Sequence, residues 1–280
     1  MKYLVTGGSG YLGTYVRQFF SAEDFSRRTF LDVRHDQAAQ RVADYDAVIH
    51  LAAHFDKHPD GAGECFRTNA HGTANIIRHM KPGSIFIYAS TKDVYGSHAE
   101  GKEEVAEDTS TAYCGQSAFE WSKLIGERYV EYYAHQRDVR ACIFRLSTVF
   151  ARPSENNSPG VITHYVESIK RRVPIRMPAG VDPVRDILYV DDFSRACRAF
   201  IKSKIPYALY NLGGGRLNAV SLRDIIRRVG AMIEIEPVIE EDPALPAPVP
   251  LRYVSDTTRV TEELDWRPEI GVDHGLQVLL

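Results

Sequence analysis

A chain of 280 residues that is 44% hydrophobic can bury a sizeable core, and its length fits one large domain or two unequal ones. The formal charge of -3, with both signs interspersed, lacks the basic footprint that nucleic acid or an anionic membrane demands, so neither is an expected partner and a small molecule is. Four scattered cysteines, Cys65, Cys114, Cys142 and Cys197, form no CxxC pair, which suits reduced thiols in a cytoplasmic protein and not a zinc ribbon or a disulfide framework.

The chain enters through "KYLVTG", a short apolar strand without the h-region of a signal peptide, and no later segment has the length of uninterrupted apolar residues that a membrane helix needs. A soluble, unsecreted protein is expected. A helical pattern follows in "YLGTYVRQFF", then strand-like runs in "TFLDV" and "AVIHLAA" and a helix through "FRTNAHGTANIIRHM". The strand "SIFIYAST", a helix through "AFEWSKLIGERYVEYYAH" and the strand "ACIFRL" complete the first half. Continuous apolar strands interleaved with helices predict an α/β fold whose parallel sheet is covered on both faces, Rossmann-like and doubly wound.

After "FARP" the texture changes. "SENNSPG" reads as a loop, "GVITHYVESIKRR" as a helix, and "RDILYVDDFSRACRAFI" as a further strand and helix. "SLRDIIRRVG" predicts a helix with Ser221 as N-cap, Asp224 three residues on and Gly230 as its stop, ahead of the stiff, proline-rich "DPALPAPVP". This predicts a smaller C-terminal lobe over one end of the sheet.

The loop after the first strand, "TGGSGYLG", contains Gly8-x-Gly10-x-x-Gly13 and, offset by one, Gly7-x-x-Gly10-x-x-Gly13. One glycine makes the sharp turn, another lets backbone approach a pyrophosphate, and the third lets helix and strand pack closely. Leu12, Val16, Phe19 and Phe20 recur at helical spacing behind it, so the helix that such a loop needs is present. Asp32 closes the predicted second strand, where a carboxylate would hold the adenosine ribose of NAD; Arg27, Arg28 and Arg34 nearby also leave room for the 2′-phosphate of NADP. The expected division is a dinucleotide-binding domain at 1–155, with 185–203 returning to it, and a substrate-binding lobe from 156–184 and 204–280.

With "VIHLAA", "TNAHGT", "STKDVYG", "SKLIGE", "FRLSTVFARP", "RDILYVDD", "YNLGGG" and "LDWRP" added, the chain resembles the extended short-chain dehydrogenase/reductase family of nucleoside-diphosphate-sugar epimerases, dehydratases and reductases. The resemblance implies NAD or NADP as cofactor, a nucleotide-sugar substrate and a homodimer. It adds Tyr11, Leu12, Leu51, Ala52, Ala53 and Ser90 to the cofactor site. One departure is architectural: there is room for only one strand between the first helix and "VIHLAA", so Asp32 stands either for the ribose-binding acid of one strand or for the adenine-contacting acid of the next.

Hydride transfer at a sugar carbinol needs a group that exchanges the hydroxyl proton. In the family a Tyr does this, a Lys one helical turn later lowers its pKa and holds the ribose, and a Ser or Thr binds the reacting oxygen. Aligned on "VYG", the hydroxyl falls on Thr91; aligned on "SKLIGE", the lysine is Lys123, and the Tyr position is Phe119. Phenylalanine cannot donate, accept or ionise. Tyr113 could supply the proton through a non-helical approach, the chain could bind its ligands without turnover, or a Tyr→Phe change could have been introduced.

Dehydratases of the family carry an Asp-Glu pair after the Thr; here Lys92-Asp93 stands there, which leaves epimerase and reductase chemistry. Arg185 matches a family arginine that meets the substrate pyrophosphate, with a salt bridge to Asp186 or Asp191 as its other reading, and Arg252 offers a second phosphate contact. His50, His54 and His58 recur every four residues but span a strand and a loop, so no metal is predicted. The helices near residues 61 to 80 and 118 to 137 would form the dimer; on the second, Trp121, Leu124, Tyr129, Tyr132 and Tyr133 spread too widely for one buried face. A competing reading is a non-catalytic, NAD(H)-binding regulatory protein.

Overall fold

The structure, a computed structural model, describes residues 1–153 and 160–280; most of the predicted loop "SENNSPG" lies outside the described residues. Five short strands come first: β1 (Tyr3–Thr6), β2 (Glu23–Phe25), β3 (Ala47–His50), β4 (Ile85–Thr91) and β5 (Arg140–Leu146). Their side chains alternate between two cores. Val5, Ile49 and Ile87 point to one, and Leu4, Val48 and Phe86 to the other, so each strand is apolar on both faces.

Helix α1 (Gly13–Phe20) covers the first core through Val16 and Phe20. On the second lie α2 (Asp36–Ala39), α3 (Ala62–Cys65), a π-helical turn at Phe66–His71 that leads into α4 (Gly72–Arg78), and α5 (Ala118–Arg137). The second half contributes β6 (Thr148–Phe150), α6 (Val161–Lys170), β7 (Ile175–Pro178), β8 (Val184–Tyr189), α7 (Val190–Lys202) and β9 (Tyr207–Leu212). It ends with β10 (Ala219–Ser221), α8 (Leu222–Met232), β11 (Ile239–Asp242), β12 (Arg252–Tyr253), α9 (Thr258–Leu264) and α10 (Val272–Val278).

The large sheet runs β2-β1-β3-β4-β5-β9 with every pairing parallel, which is the doubly wound arrangement predicted. The chain leaves β1 toward β2 on one side and returns to β3 on the other. That reversal opens a crevice above the carboxyl ends of the strands, where ligands bind in sheets of this kind. A smaller sheet centres on β8, flanked by β10, β12 and β6, while β7 and β11 pair separately.

Three expectations change. "TFLDV" is not a strand: α1 closes at Ser21 in the left-handed region and Ala22 N bonds Arg17 O at 2.9 Å, so the chain turns back early and the second strand is Glu23–Phe25. Phe30, an apolar residue that suggested a strand, is 97% exposed. The expected return of 185–203 is split, since α7 packs on α1 but β8 belongs to the small sheet, and β9, assigned to the lobe, is the last strand of the large one. Gly230 lies inside α8, not at its end; a Cβ there would come within 2.5 Å of Pro237. Ser221 caps that helix as expected, accepting from Asp224 N at 3.1 Å.

Ser90 of β4, Arg145 of β5 and Asn211 of β9 stand in one cross-strand row. Glu127 of α5 reaches down to it, accepting from Ser90 Oγ at 2.5 Å and from Arg145 Nε and Nη2 at 3.0 and 2.7 Å. Arg145 Nη1 donates to Tyr95 OH at 3.0 Å, which donates to Asn211 Oδ1 at 2.7 Å. Both members of the ion pair are buried, so removing one strands the other's charge. Glu127→Ala is expected to cost about 3–5 kcal/mol of stability, read from urea unfolding; a loss below about 1 kcal/mol would show that the row does not anchor α5.

Candidate active site

The glycine loop folds back across the end of β3. Gly7 has φ +68°, and a Cβ on it would lie 2.9 Å from Ala52 N and Cα; one on Gly13 would collide with the Gly7 carbonyl. Gly10 N donates to Gly7 O at 2.8 Å, closing the turn before α1. The space kept free by these missing side chains opens into a cleft of about 1300 Å³ at the crevice of the large sheet. Its walls are the loop, residues 51–55, the turn after β4 and, from the small sheet, Arg185. A backbone cradle of this shape fits a dinucleotide pyrophosphate. Tyr11 ties the loop to the second half: its hydroxyl donates to Ala151 O and accepts from Ala151 N, both at 2.8 Å.

At the end of β4, Thr91 lines the cleft and its Oγ1 accepts from Asp93 N at 3.2 Å. Neighbouring Ser90 does not line it, because its hydroxyl is committed to Glu127. Helix α5 starts at a capping box: Ser117 Oγ accepts from Phe119 N at 3.2 Å and Ser117 N donates to Glu120 Oε2 at 2.7 Å. Phe119 and Lys123 therefore sit on one helix face, a turn apart. Phe119 is 6% exposed and its ring meets cleft-lining Phe55 edge-on at 4.6 Å between centroids. Lys123 Nζ donates to the carbonyl of cleft-lining Ala89 at 2.6 Å and lies 4.8 Å from the Tyr88 ring centroid. Burial lowers its pKa to about 8.

Tyr113 is not brought into this arrangement. It is 70% exposed, stacks on Trp121 at 6.2 Å and is not among the residues that line the cleft. Arg252 is likewise exposed and away from the cleft, whereas Arg185 lines it. Arg185 pairs with neither Asp186 nor Asp191 by hydrogen bond among the described residues; its guanidinium donates to Val184 O, Leu251 O and Pro250 O at 2.6, 3.0 and 3.0 Å. Buried Asp186 instead accepts from Ser255 N at 3.0 Å, Gly215 N at 3.2 Å and the Ser147 hydroxyl, pinning the small sheet together.

Lys92 and Asp93 are not the exposed ion pair that a loop position suggests. Lys92 is 8% exposed, bonds Asp93 and lies 5.0 Å from the Tyr253 ring centroid. Lys57 joins them, 3.1 Å from Asp93 Oδ2 and 2.7 Å from Glu120 Oε1. Burial lowers the pKa of Lys92 against the pull of Asp93; burial also raises that of Asp93, but Lys92 and Lys57 outweigh it and hold the carboxyl below its usual range. Sequence reasoning missed Lys57 and Glu120. The spacing Ser117-x-x-Glu120 was a visible capping signal for the second, while nothing local marked the first.

Asp32 lines the cleft but stands in a turn, not at a strand end. Its carboxylate accepts from Arg34 Nε at 2.9 Å, Nη2 at 2.6 Å and the backbone N at 2.9 Å, which holds its pKa down. His50 is fully buried between Thr6 Oγ1 at 2.7 Å and Thr73 Oγ1 at 3.0 Å, and burial lowers its pKa to about 3, so the ring is neutral. His54 and His58 sit apart from it in the following loop, and among the described residues no three His, Cys, Asp or Glu side chains gather as a metal site would require.

The model of the NAD dependent epimerase/dehydratase family matches residues 3–213. The chain belongs to that family. It is 24% identical to UDP-glucuronic acid decarboxylase 1 of Arabidopsis thaliana over 99% of this chain and 68% of the relative. Among solved structures it resembles MoeE5 in complex with UDP-glucuronic acid and NAD, with a TM-score of 0.86 and 20% identity over 99% of this chain and 97% of the other. It also resembles RMD from Pseudomonas aeruginosa complexed with NADPH, with a TM-score of 0.83 and 21% identity over 100% and 98% of the two chains. The cofactor of the family is a nicotinamide dinucleotide, and the glycine cradle fits one.

The folded pKa of Lys123 lies below the unfolded value of 10.5, so its burial opposes folding below about pH 8 and this penalty fades as pH rises toward 10.5. In protein labelled with 13C-lysine, the Cε resonance that disappears in Lys123→Met is expected to titrate near pH 8. A midpoint near the free value of about 10.4 would mean that the ammonium is solvated.

Proposed function

We propose that this chain binds NAD or NADP together with a nucleotide-linked sugar, in a site built for epimerase or reductase chemistry whose proton transfer Phe119 impairs. The observation that carries the reading is the single cleft shared by the glycine loop, Thr91 and Arg185, with Lys123 and Phe119 packed directly behind Ala89 and Phe55. Gly7, Gly8, Gly10 and Gly13 would hold the pyrophosphate, with Tyr11, Leu12 and the Leu51–Ala53 backbone beside the nucleotide. When bound, the cofactor supplies the hydride acceptor or donor.

On the protein's side, the Thr91 hydroxyl would hold the sugar oxygen that gains or loses its proton, and Lys123 would hold the cofactor ribose in exchange for the Ala89 carbonyl. Arg185, already desolvated, offers a guanidinium to the sugar-nucleotide diphosphate. Lys92 and Asp93 occupy the position of the dehydratase acid pair, and their mutual neutralisation leaves no carboxylic acid to expel water. The non-catalytic reading, an NAD(H)-binding regulatory protein, draws on a specific contact: the Phe119–Phe55 edge packing is apolar where a proton-transferring hydroxyl is needed.

Phe119→Tyr decides between these readings. Assayed with NAD(P)(H) and a panel of nucleotide sugars, the tyrosine form is expected to turn over about 10²–10⁴ times faster than the parent chain. Cofactor binding without turnover in either form supports the regulatory protein. Activity already high with Phe119 and lost in Tyr113→Phe would restore Tyr113, against its exposed position.

The reading also includes a cytoplasmic homodimer formed through α3–α4 and α5. Tyr132 is 57% exposed, and Trp121 and Tyr129 are half-buried along the same helix, a large aromatic area for a free surface. Sedimentation is expected to give a dimer for the parent chain and a monomer for Tyr132→Glu combined with Tyr129→Glu; a monomeric parent would remove the dimer from the proposal.

A further inference from the structure

The first residue beyond β2 faces the glycine loop. Thr6 pairs with Phe25 in the parallel register, and Gly7 N donates to Phe25 O at 2.8 Å, so Ser26 stands level with Gly7. A dinucleotide whose pyrophosphate lies on the loop brings its adenosine ribose over this strand end; the inference therefore rests on the cleft being the dinucleotide site proposed above. A position that selects the free 2′-hydroxyl of NAD offers a carboxylate there. Ser26 offers a neutral hydroxyl, already engaged with Ser9 Oγ at 2.8 Å and Asp24 Oδ2 at 3.0 Å.

Two cations follow at once. Arg27 and Arg28 are exposed and line the cleft, presented on one 3₁₀ turn that Thr29 fixes by accepting from Ser26 N at 3.1 Å. The nearby carboxylates do not cancel them in the cleft. Asp32 is bound on both oxygens by Arg34, which also pairs with Glu64 at 2.9 Å. Asp24 lies beneath the loop, its Oδ1 only 2.6 Å from where a Cβ on Gly8 would be, and is not among the cleft-lining residues.

We propose that Arg27 and Arg28 form a 2′-phosphate site and that this chain selects NADP(H) over NAD(H). A guanidinium meets a phosphate with paired, charge-assisted hydrogen bonds, and Ser26 removes the anion that would repel it. One feature supports the opposite outcome: Asp24 Oδ1 is buried without a hydrogen-bond partner and could accept from a ribose hydroxyl.

Calorimetric titration of the full chain with NADPH and with NADH separates the two. NADPH is expected to bind at least about tenfold more tightly. Arg27→Ala with Arg28→Ala should bring NADPH down to the NADH level while NADH affinity changes by less than about threefold; both side chains are exposed, so the fold is not at risk. Ser26→Asp should shift the preference toward NADH. Equal or tighter NADH binding by the parent overturns the inference alone, as does a loss of NADH affinity in Asp24→Asn with the arginine variants unchanged. Failure of both dinucleotides to bind overturns the reading of the cleft as well.

Discussion

The site depends on one buried ion pair. Glu127 and Arg145 are each almost wholly excluded from solvent, and around them converge the ends of β4, β5 and β9 and the middle of α5. A pair so desolvated persists only if its hydrogen bonds are complete, and here Ser90, Tyr95 and Asn211 complete them. The geometric consequence falls on α5. Glu127 is one turn from Lys123 and two from Phe119, so fixing its carboxylate against the strand ends fixes both residues against Ala89 and Phe55.

A second constraint shapes the opposite wall. Gly7 and Gly13 allow the loop to lie against its own carbonyl and against Ala52, an approach that any side chain would block. The Tyr11 hydroxyl, bonded to both backbone groups of Ala151, then ties the loop to the start of the second lobe. Asp186 does the same inside that lobe, gathering amides from two separate segments beside the strand that carries Arg185. The cleft is thus walled by elements far apart in sequence, each fixed by buried polar contacts and not by apolar packing alone.

That distinction explains what could be read in the residues. The alternation of apolar strands with helices and the glycine loop are local patterns, and they led to the doubly wound sheet. The place of β2 was misread because Phe30 and Leu31 look like strand residues while the early turn at Ser21 leaves no motif beyond a left-handed cap. Asp32 inherited that error, and the true strand end, Ser26, went unnoticed. β9 was misplaced for another reason: strand "YALYNL" is separated from its partner β5 by most of the small lobe's first elements, and nothing local records such a pairing. Lys57 was invisible because its partners, Asp93 and Glu120, come from two other segments.

Phe119 takes its meaning from what surrounds it. Every polar group near it has a partner that is not a phenol: Lys123 has the Ala89 carbonyl, Thr91 has the Asp93 amide, and Glu120 has Lys57 and the helix cap. Ser122, on the next residue pair of the helix, is held by Asn69 at 2.9 Å, which in turn fixes the His54 backbone beside Phe55. Loss of a hydroxyl in such a setting leaves no buried group unsatisfied, so it costs little in folding or binding. Its effect is concentrated on the one step that needs a proton to move, which is why an intact cleft and a disabled reaction are compatible in the same chain.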